Sequence, residues 1–141
     1  MARKVLVALV AAVAVAVAAG LLLSNTRDSE ELTADVIIKI PKGAAVPPKA
    51  WSSGLVFDKA YFDPPNVKVV INVNNTVRWI NYDEVAHTAT SLETPKGSAG
   101  FDSGLIAPSS GFTTKLNVAG RYLYYCSVHP WAGGIITVEE K

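Results

Sequence analysis

The run NVKVVINVNNTVRWIN, residues 66–81, decides the architecture. Val67, Val69, Ile71 and Val73 fall on one face of an extended chain, the two-residue period of a half-buried strand. Asn74-Asn75 tolerates the left-handed conformations that a tight hairpin needs. Thr76–Asn81 then resumes the alternation, with Val77, Trp79 and Asn81 set against Arg78 and Ile80. Working outward, the same texture continues. Upstream, Asp35–Ile40 is rich in β-branched residues and stops at Pro41, while Gly43–Gly54 carries Pro47-Pro48 and two serines and reads as a loop. Downstream come Thr88–Ser91, a loop with Gly and Pro, Gly111–Leu116, the Ala119-Gly120 turn, Arg121–Cys126 and Gly134–Glu139. After residue 23 there is no helical apolar period, and no repeat anywhere. About seven or eight short strands at this spacing predict an all-β fold, a Greek-key antiparallel sandwich or barrel over residues 35–141.

The 141 residues suffice for one such domain with a real core. Half of them are hydrophobic and the mean hydropathy is +0.26, values raised by the first 23 residues. Arg3-Lys4 precedes nineteen uncharged, almost wholly aliphatic residues, Val5–Leu23. As a helix that run is about 28 Å long, close to the hydrocarbon thickness of a bilayer. It reads as a membrane anchor or a signal peptide; Ala16, Ala18 and Ala19 offer small residues to a signal peptidase. Arg3 and Lys4 hold the N-terminus inside and send the domain out of the cytoplasm, anchored or secreted. Residues 24–34, with Asp28, Glu30 and Glu31, form a polar linker. The formal charge is +1, and without Arg3 and Lys4 eleven basic residues face twelve acidic ones. That balance excludes nucleic acid as a partner. Asn74-Asn75-Thr76 also fits a glycosylation sequon, a pattern common by chance.

The side chains able to bind a soft metal are few: one cysteine, two histidines and Met1, with no glutamine. A single cysteine excludes an intrachain disulfide, and in an exported protein it calls for a reason. Cys126-Ser127-Val128-His129 lies where a strand runs into a loop, and His87 ends another strand thirty-nine residues before the cysteine. Singly, a buried cysteine is ordinarily an inert small hydrophobe, and a lone histidine is ordinarily a hydrogen-bonded structural residue. Jointly, one thiolate and two imidazoles suit a copper ion cycling between Cu(I) and Cu(II). Structural zinc takes four protein ligands, one more than these residues supply. A Cys–His nucleophile pair is the enzymatic alternative, and no Asn or Asp spacing supports it.

From Ala60 to Glu139 the sequence resembles the cupredoxins, the plastocyanin-like blue copper proteins. The resemblance runs through Phe62-Asp63-Pro64, the paired segments 66–73 and 76–83, His87-Thr88, Val118-Ala119-Gly120 and Tyr124-Tyr125-Cys126-Ser127-Val128-His129-Pro130-Trp131. It implies that His87, Cys126 and His129 bind one copper ion and that the Thr88 amide bonds the Cys126 sulfur. It implies that the Thr88 and Ser127 side chains brace the two ligand loops, and that Pro130 and Trp131 rim an electron portal used by redox partner proteins.

The short ligand loop is similar to that of the amicyanins, which carry an axial methionine six residues after the cysteine. Here that position is Ala132, followed by Gly133-Gly134, and no other methionine or glutamine follows Met1. Four arrangements stay open: a dry three-coordinate ion, the Ala86 carbonyl as a weak axial oxygen, a water, or a carboxylate with Glu84 as the nearest. In this the chain resembles the methionine-lacking purple cupredoxins of ammonia-oxidising archaea. Two functions follow as expectations: one-electron carriage, or redox chemistry on a small ligand such as nitric oxide at an open axial position.

Overall fold

A computed structural model describes residues 33–141; the apolar segment 5–23 and the linker up to residue 32 lie outside the described residues. Seven strands follow one another: β1 (Val36–Ile40), β2 (Asn66–Val70), β3 (Thr76–Asn81), β4 (Thr90–Glu93), β5 (Gly111–Lys115), β6 (Gly120–Cys126) and β7 (His129–Glu139). They form a three-stranded sheet in the order β1-β3-β5 and a four-stranded sheet in the order β2-β7-β6-β4. Among the described residues no helix is long and apolar enough to cross a membrane.

The all-β sandwich is the architecture that the alternation predicts, but its sheets are mixed. β1 runs parallel to β3, with Val36 opposite Val77, and β2 runs parallel to β7, with Val67 opposite Ile136. The remaining pairs are antiparallel. The Asn74-Asn75 segment is not a hairpin turn, because β2 and β3 belong to different sheets. The chain turns instead at residues 71–74, where Asn72 adopts a φ of 60°. Asn74 Oδ1 accepts from the Val70 amide at 2.7 Å and Asn75 Oδ1 from the Asn72 amide at 3.0 Å. Both side chains thus replace the ladder bonds that a hairpin would have supplied. This use of Asn74 and the burial of Asn75 and Thr76 give the sequon residues a structural role.

Inward-facing residues of both sheets fill the core: Ile38, Ile40, Val69, Val77, Trp79, Tyr122, Tyr124 and Ile136 are all essentially buried. Trp79 packs edge-on to Tyr124 with ring centres 5.3 Å apart, and tilted against Phe101 at 5.0 Å. It is a core residue. Tyr124 lies over Gly134, its register partner on β7, so the missing side chain of one strand is the seat of the ring on the next.

Candidate metal centre

β6 and β7 are joined by a two-residue turn, Ser127-Val128, and the residues that close it are Cys126 and His129. Above that pair the register slips: Tyr125 faces Gly133, so Pro130, Trp131 and Ala132 bulge from the ladder. A bulge re-aims side chains at the end of a sheet, and here it ends the hairpin in a loop with His129 at its base. His87 reaches the same place from the chain before β4. Its backbone exchanges bonds with Ile106, His87 amide to Ile106 carbonyl at 3.2 Å and the reverse at 2.7 Å.

The three donor atoms converge. Cys126 Sγ lies 3.7 Å from His87 Nδ1 and 3.6 Å from His129 Nδ1, and the two nitrogens are 3.1 Å apart. Among the described residues this is the one group of three metal-capable side chains within 4.8 Å of one another. Bonds of about 2.3 Å to sulfur and about 2.0 Å to nitrogen in a trigonal plane would separate sulfur from nitrogen by about 3.7 Å. The triangle therefore has the dimensions of a metal site, with His87 and Cys126 fully buried and His129 half-buried.

Its electrostatics favour the metal-binding form at Cys126 and His129, whereas at His87 burial is outweighed by the bonds to Cys126 and Asp83, which hold the imidazole above its usual range. Burial opposes charge on the Cys126 thiol, yet hydrogen bonds from His87 and the amides of Thr88, Val128 and His129 outweigh it and pull the thiol below its usual range. The thiolate is the metal-binding form. Burial and the neighbouring His87 together push His129 down, toward the neutral imidazole.

Hydrogen bonds link the segment before β4 to the β6–β7 turn. The Thr88 amide donates to Cys126 Sγ at 3.2 Å. Thr88 Oγ1 accepts from the Ser127 amide at 2.8 Å and lies 3.1 Å from Ser127 Oγ. Ala86 is half-buried beside His87. Pro130 is exposed, whereas Trp131 is half-buried, its ring centre 5.5 Å from that of His129. Trp131 Nε1 donates to the Ala44 carbonyl at 3.1 Å, and its ring meets Trp51 edge-on at 5.4 Å. Ala132 is only 1% exposed and pairs with Val56, whose amide donates to the Trp131 carbonyl at 2.7 Å.

Two features escaped the sequence reading. The 43–54 stretch, read only as a loop, meets Trp131 through the Ala44 carbonyl and Trp51, and Val56 just beyond it pairs with Ala132. Glu84, the candidate for an axial carboxylate, pairs at the surface with Lys42; the carboxylate against the site is Asp83, whose Oδ2 stands 2.8 Å from His87 Nε2, the ring nitrogen away from the other donors. The one signal for Asp83 was its place four residues before a candidate ligand.

No protein-family model matches the chain. Plastocyanin of Scenedesmus fuscus is 33% identical over 98 residues, covering 64% of this chain and 93% of the plastocyanin. Amicyanin of Paracoccus denitrificans is 26% identical over 85 residues; the match takes in 60% of this chain and 65% of the amicyanin, just under two thirds of its length. Among solved structures, a purple cupredoxin from Nitrosopumilus maritimus superposes with a TM-score of 0.59 at 30% identity, over 74% of this chain and 99% of that one. Two-sheet fold, ligand-bearing hairpin and relatives agree, and the chain belongs to the cupredoxin family.

Proposed function

We propose that His87, Cys126 and His129 hold one copper ion and that the domain carries single electrons outside the cytoplasm between redox partner proteins. The observation that carries this reading is the buried triangle of one sulfur and two nitrogens on a closed hairpin and a crossing loop. Copper bound there supplies reversible one-electron chemistry between Cu(I) and Cu(II). The chain's own part is rigidity. Cys126 and His129 are fixed by the strand ladder, His87 by its exchange with Ile106, and the two loops by Thr88 and Ser127. Donors so held keep one geometry in both oxidation states, so little has to reorganise when an electron passes.

His129 is the ligand nearest the surface, flanked by exposed Pro130 and by Val128, itself 49% exposed. That apolar edge is the proposed portal and docking face. Export rests on the charge-free run 5–23 behind Arg3-Lys4 and on a lone thiol that metal binding would explain. A second reading, redox chemistry on a small ligand at an open fourth position, draws on Ala132, which offers no donor. The burial of Ala132 beneath the 43–56 stretch favours carriage.

The test is a copper titration of the full-length chain. One equivalent is expected to give an intense visible sulfur-to-copper band that Cys126→Ser abolishes and His87→Ala or His129→Ala alters or removes. A Cys126→Ser protein that keeps full colour and copper content would overturn the assignment.

A further inference from the structure

We propose that Asp83 is the positioning residue of the copper centre: its carboxylate fixes His87 with the proton on Nε2 and the lone pair of Nδ1 facing the metal, and its charge lowers the reduction potential. This rests on the copper reading above.

The geometry is closed on every side. His87 is fully buried, and its Nδ1 faces Cys126 and His129, so Nε2 is the nitrogen left to donate. Nε2 meets Asp83 Oδ2 at 2.8 Å, which also accepts from the Ala45 amide at 3.2 Å. Asp83 Oδ1 accepts from the amides of Gly43 and Glu84, each at 2.9 Å. Three backbone amides and one imidazole thus point at a carboxylate that is only 7% exposed. The loop around it is fixed in turn. The Asp83 amide donates to Asn81 Oδ1 at 2.9 Å, and Asn81 Nδ2 donates to the carbonyls of Val85 at 2.8 Å and Ile106 at 2.9 Å.

A histidine ligand whose far nitrogen donates to a carboxylate is held in one tautomer and is a stronger base. Every polar group pointing at Asp83 is a donor, so an amide cannot replace it without setting its own NH₂ against an N–H. Rotated either way, the Asn side chain leaves amides or His87 Nε2–H without an acceptor. If the imidazole then moves its proton to Nδ1, the metal loses that donor. Ala44, between the two amides that bind Asp83, gives its carbonyl to Trp131 beside His129. One three-residue segment therefore ties Asp83 and the far ligand loop into a single frame.

The experiment compares the full-length wild type with Asp83→Asn and with Glu84→Gln, which removes a neighbouring charge exposed at the surface. Cu(II) affinity and reduction potential are measured on each at neutral pH. Asp83→Asn is expected to lose about 10–100-fold in Cu(II) affinity, with a smaller loss for Cu(I). Each tenfold difference between the two ions raises the potential by about 59 mV. Glu84→Gln is expected to match the wild type. An Asp83→Asn potential equal to wild type, or an equal rise in Glu84→Gln, overturns the proposal. If Asp83→Asn does not fold, the ¹H–¹⁵N spectrum of wild-type Cu(I) protein decides: a hydrogen-bonded Nε2–H on His87 supports it, and an unprotonated Nε2 overturns it. A wild type that binds no copper removes the copper reading and this inference together; a coloured wild type with an unshifted variant removes this inference alone.

Discussion

The Thr88 amide donates to Cys126 Sγ at 3.2 Å while the Thr88 hydroxyl accepts from the Ser127 amide at 2.8 Å, so one residue holds both the sulfur and the turn that follows it. The two bonds can be separated because one is main chain and the other side chain. Thr88→Val keeps the amide and deletes the hydroxyl, which also contacts Ser127 Oγ and Thr90 Oγ1. The Ser127 N–H is left without its acceptor. Since Ser127 is exposed, the expected cost is about 1 kcal/mol, at the low end for an unsatisfied group. Denaturant unfolding of the metal-free protein measures it. The visible copper band is expected to persist, because the bond to sulfur remains. An unchanged unfolding midpoint would show that the hydroxyl braces nothing.

Gly134 makes a sharper stability test. A Cβ there would stand 2.2 Å from Cζ and Oη of Tyr124, whose ring is fully buried and packed on Phe62 at 4.9 Å between ring centres and on Trp79. The ring has nowhere to go. Gly134→Ala is expected to destabilise by about 1–3 kcal/mol through overpacking. Gly133→Ala, whose added Cβ meets Leu55 Cβ at 2.9 Å and the half-exposed ring of Phe57 at 3.2 Å, is expected to cost less. A shift in the unfolding midpoint with an unchanged slope reports each loss. If the order reverses, the β6–β7 register at Tyr124 and Gly134 is misassigned.

These particulars show where the sequence was legible. Strand β3 occupies the residues its alternation marks, Thr76–Asn81, because period-two burial is local information. The partners of that strand were not legible. Asn74-Asn75 suits a hairpin and equally an arch between sheets, and only the long-range pairing of β2 with β7 decides between them. The same holds for β7. Expected from Gly134, it begins at His129, because the cross-strand pair Cys126–His129 is defined by its partner rather than by its own residues. At the site, His87, Cys126 and His129 stood out because their chemistry is rare in this chain. Asp83 did not, since a carboxylate in an irregular loop is ordinary until its distance to His87 is known. The Ala44 carbonyl and the Val56 backbone carry no side-chain signal at all.

Export is open to a direct test. The nineteen uncharged residues after Arg3-Lys4 are expected to place everything beyond them outside the cytoplasm, cleaved or not. A reporter fused after Lys141 that matures only outside the cytoplasm should be active. Activity solely from a reporter restricted to the cytoplasm would overturn the topology and remove one reason for expecting a metal on the lone thiol.

The fourth position at the metal decides between carriage and small-ligand chemistry. Ala132 stands where the resembling loops carry methionine, is 1% exposed, and is backed by Val56 on one side and by Trp131 along the chain. Trp131 is itself pinned by the Ala44 carbonyl and by Trp51. With Ala132 so covered, an anion would reach a fourth position beside it only if the cover opens. The Cu(II) spectrum of the native protein is therefore expected to be silent toward azide and toward nitric oxide. Trp131→Ala removes both the indole donor and the ring, and is expected to make the spectrum azide-sensitive. Ala132→Met instead adds a thioether at the family position and is expected to give an ordinary blue spectrum, unresponsive on either background. A native protein that responds to azide or nitric oxide would mean that the cover opens in solution, and the small-ligand reading would then displace carriage. A Trp131→Ala protein as silent as the wild type would place the barrier elsewhere, in the packing of Ala132 itself.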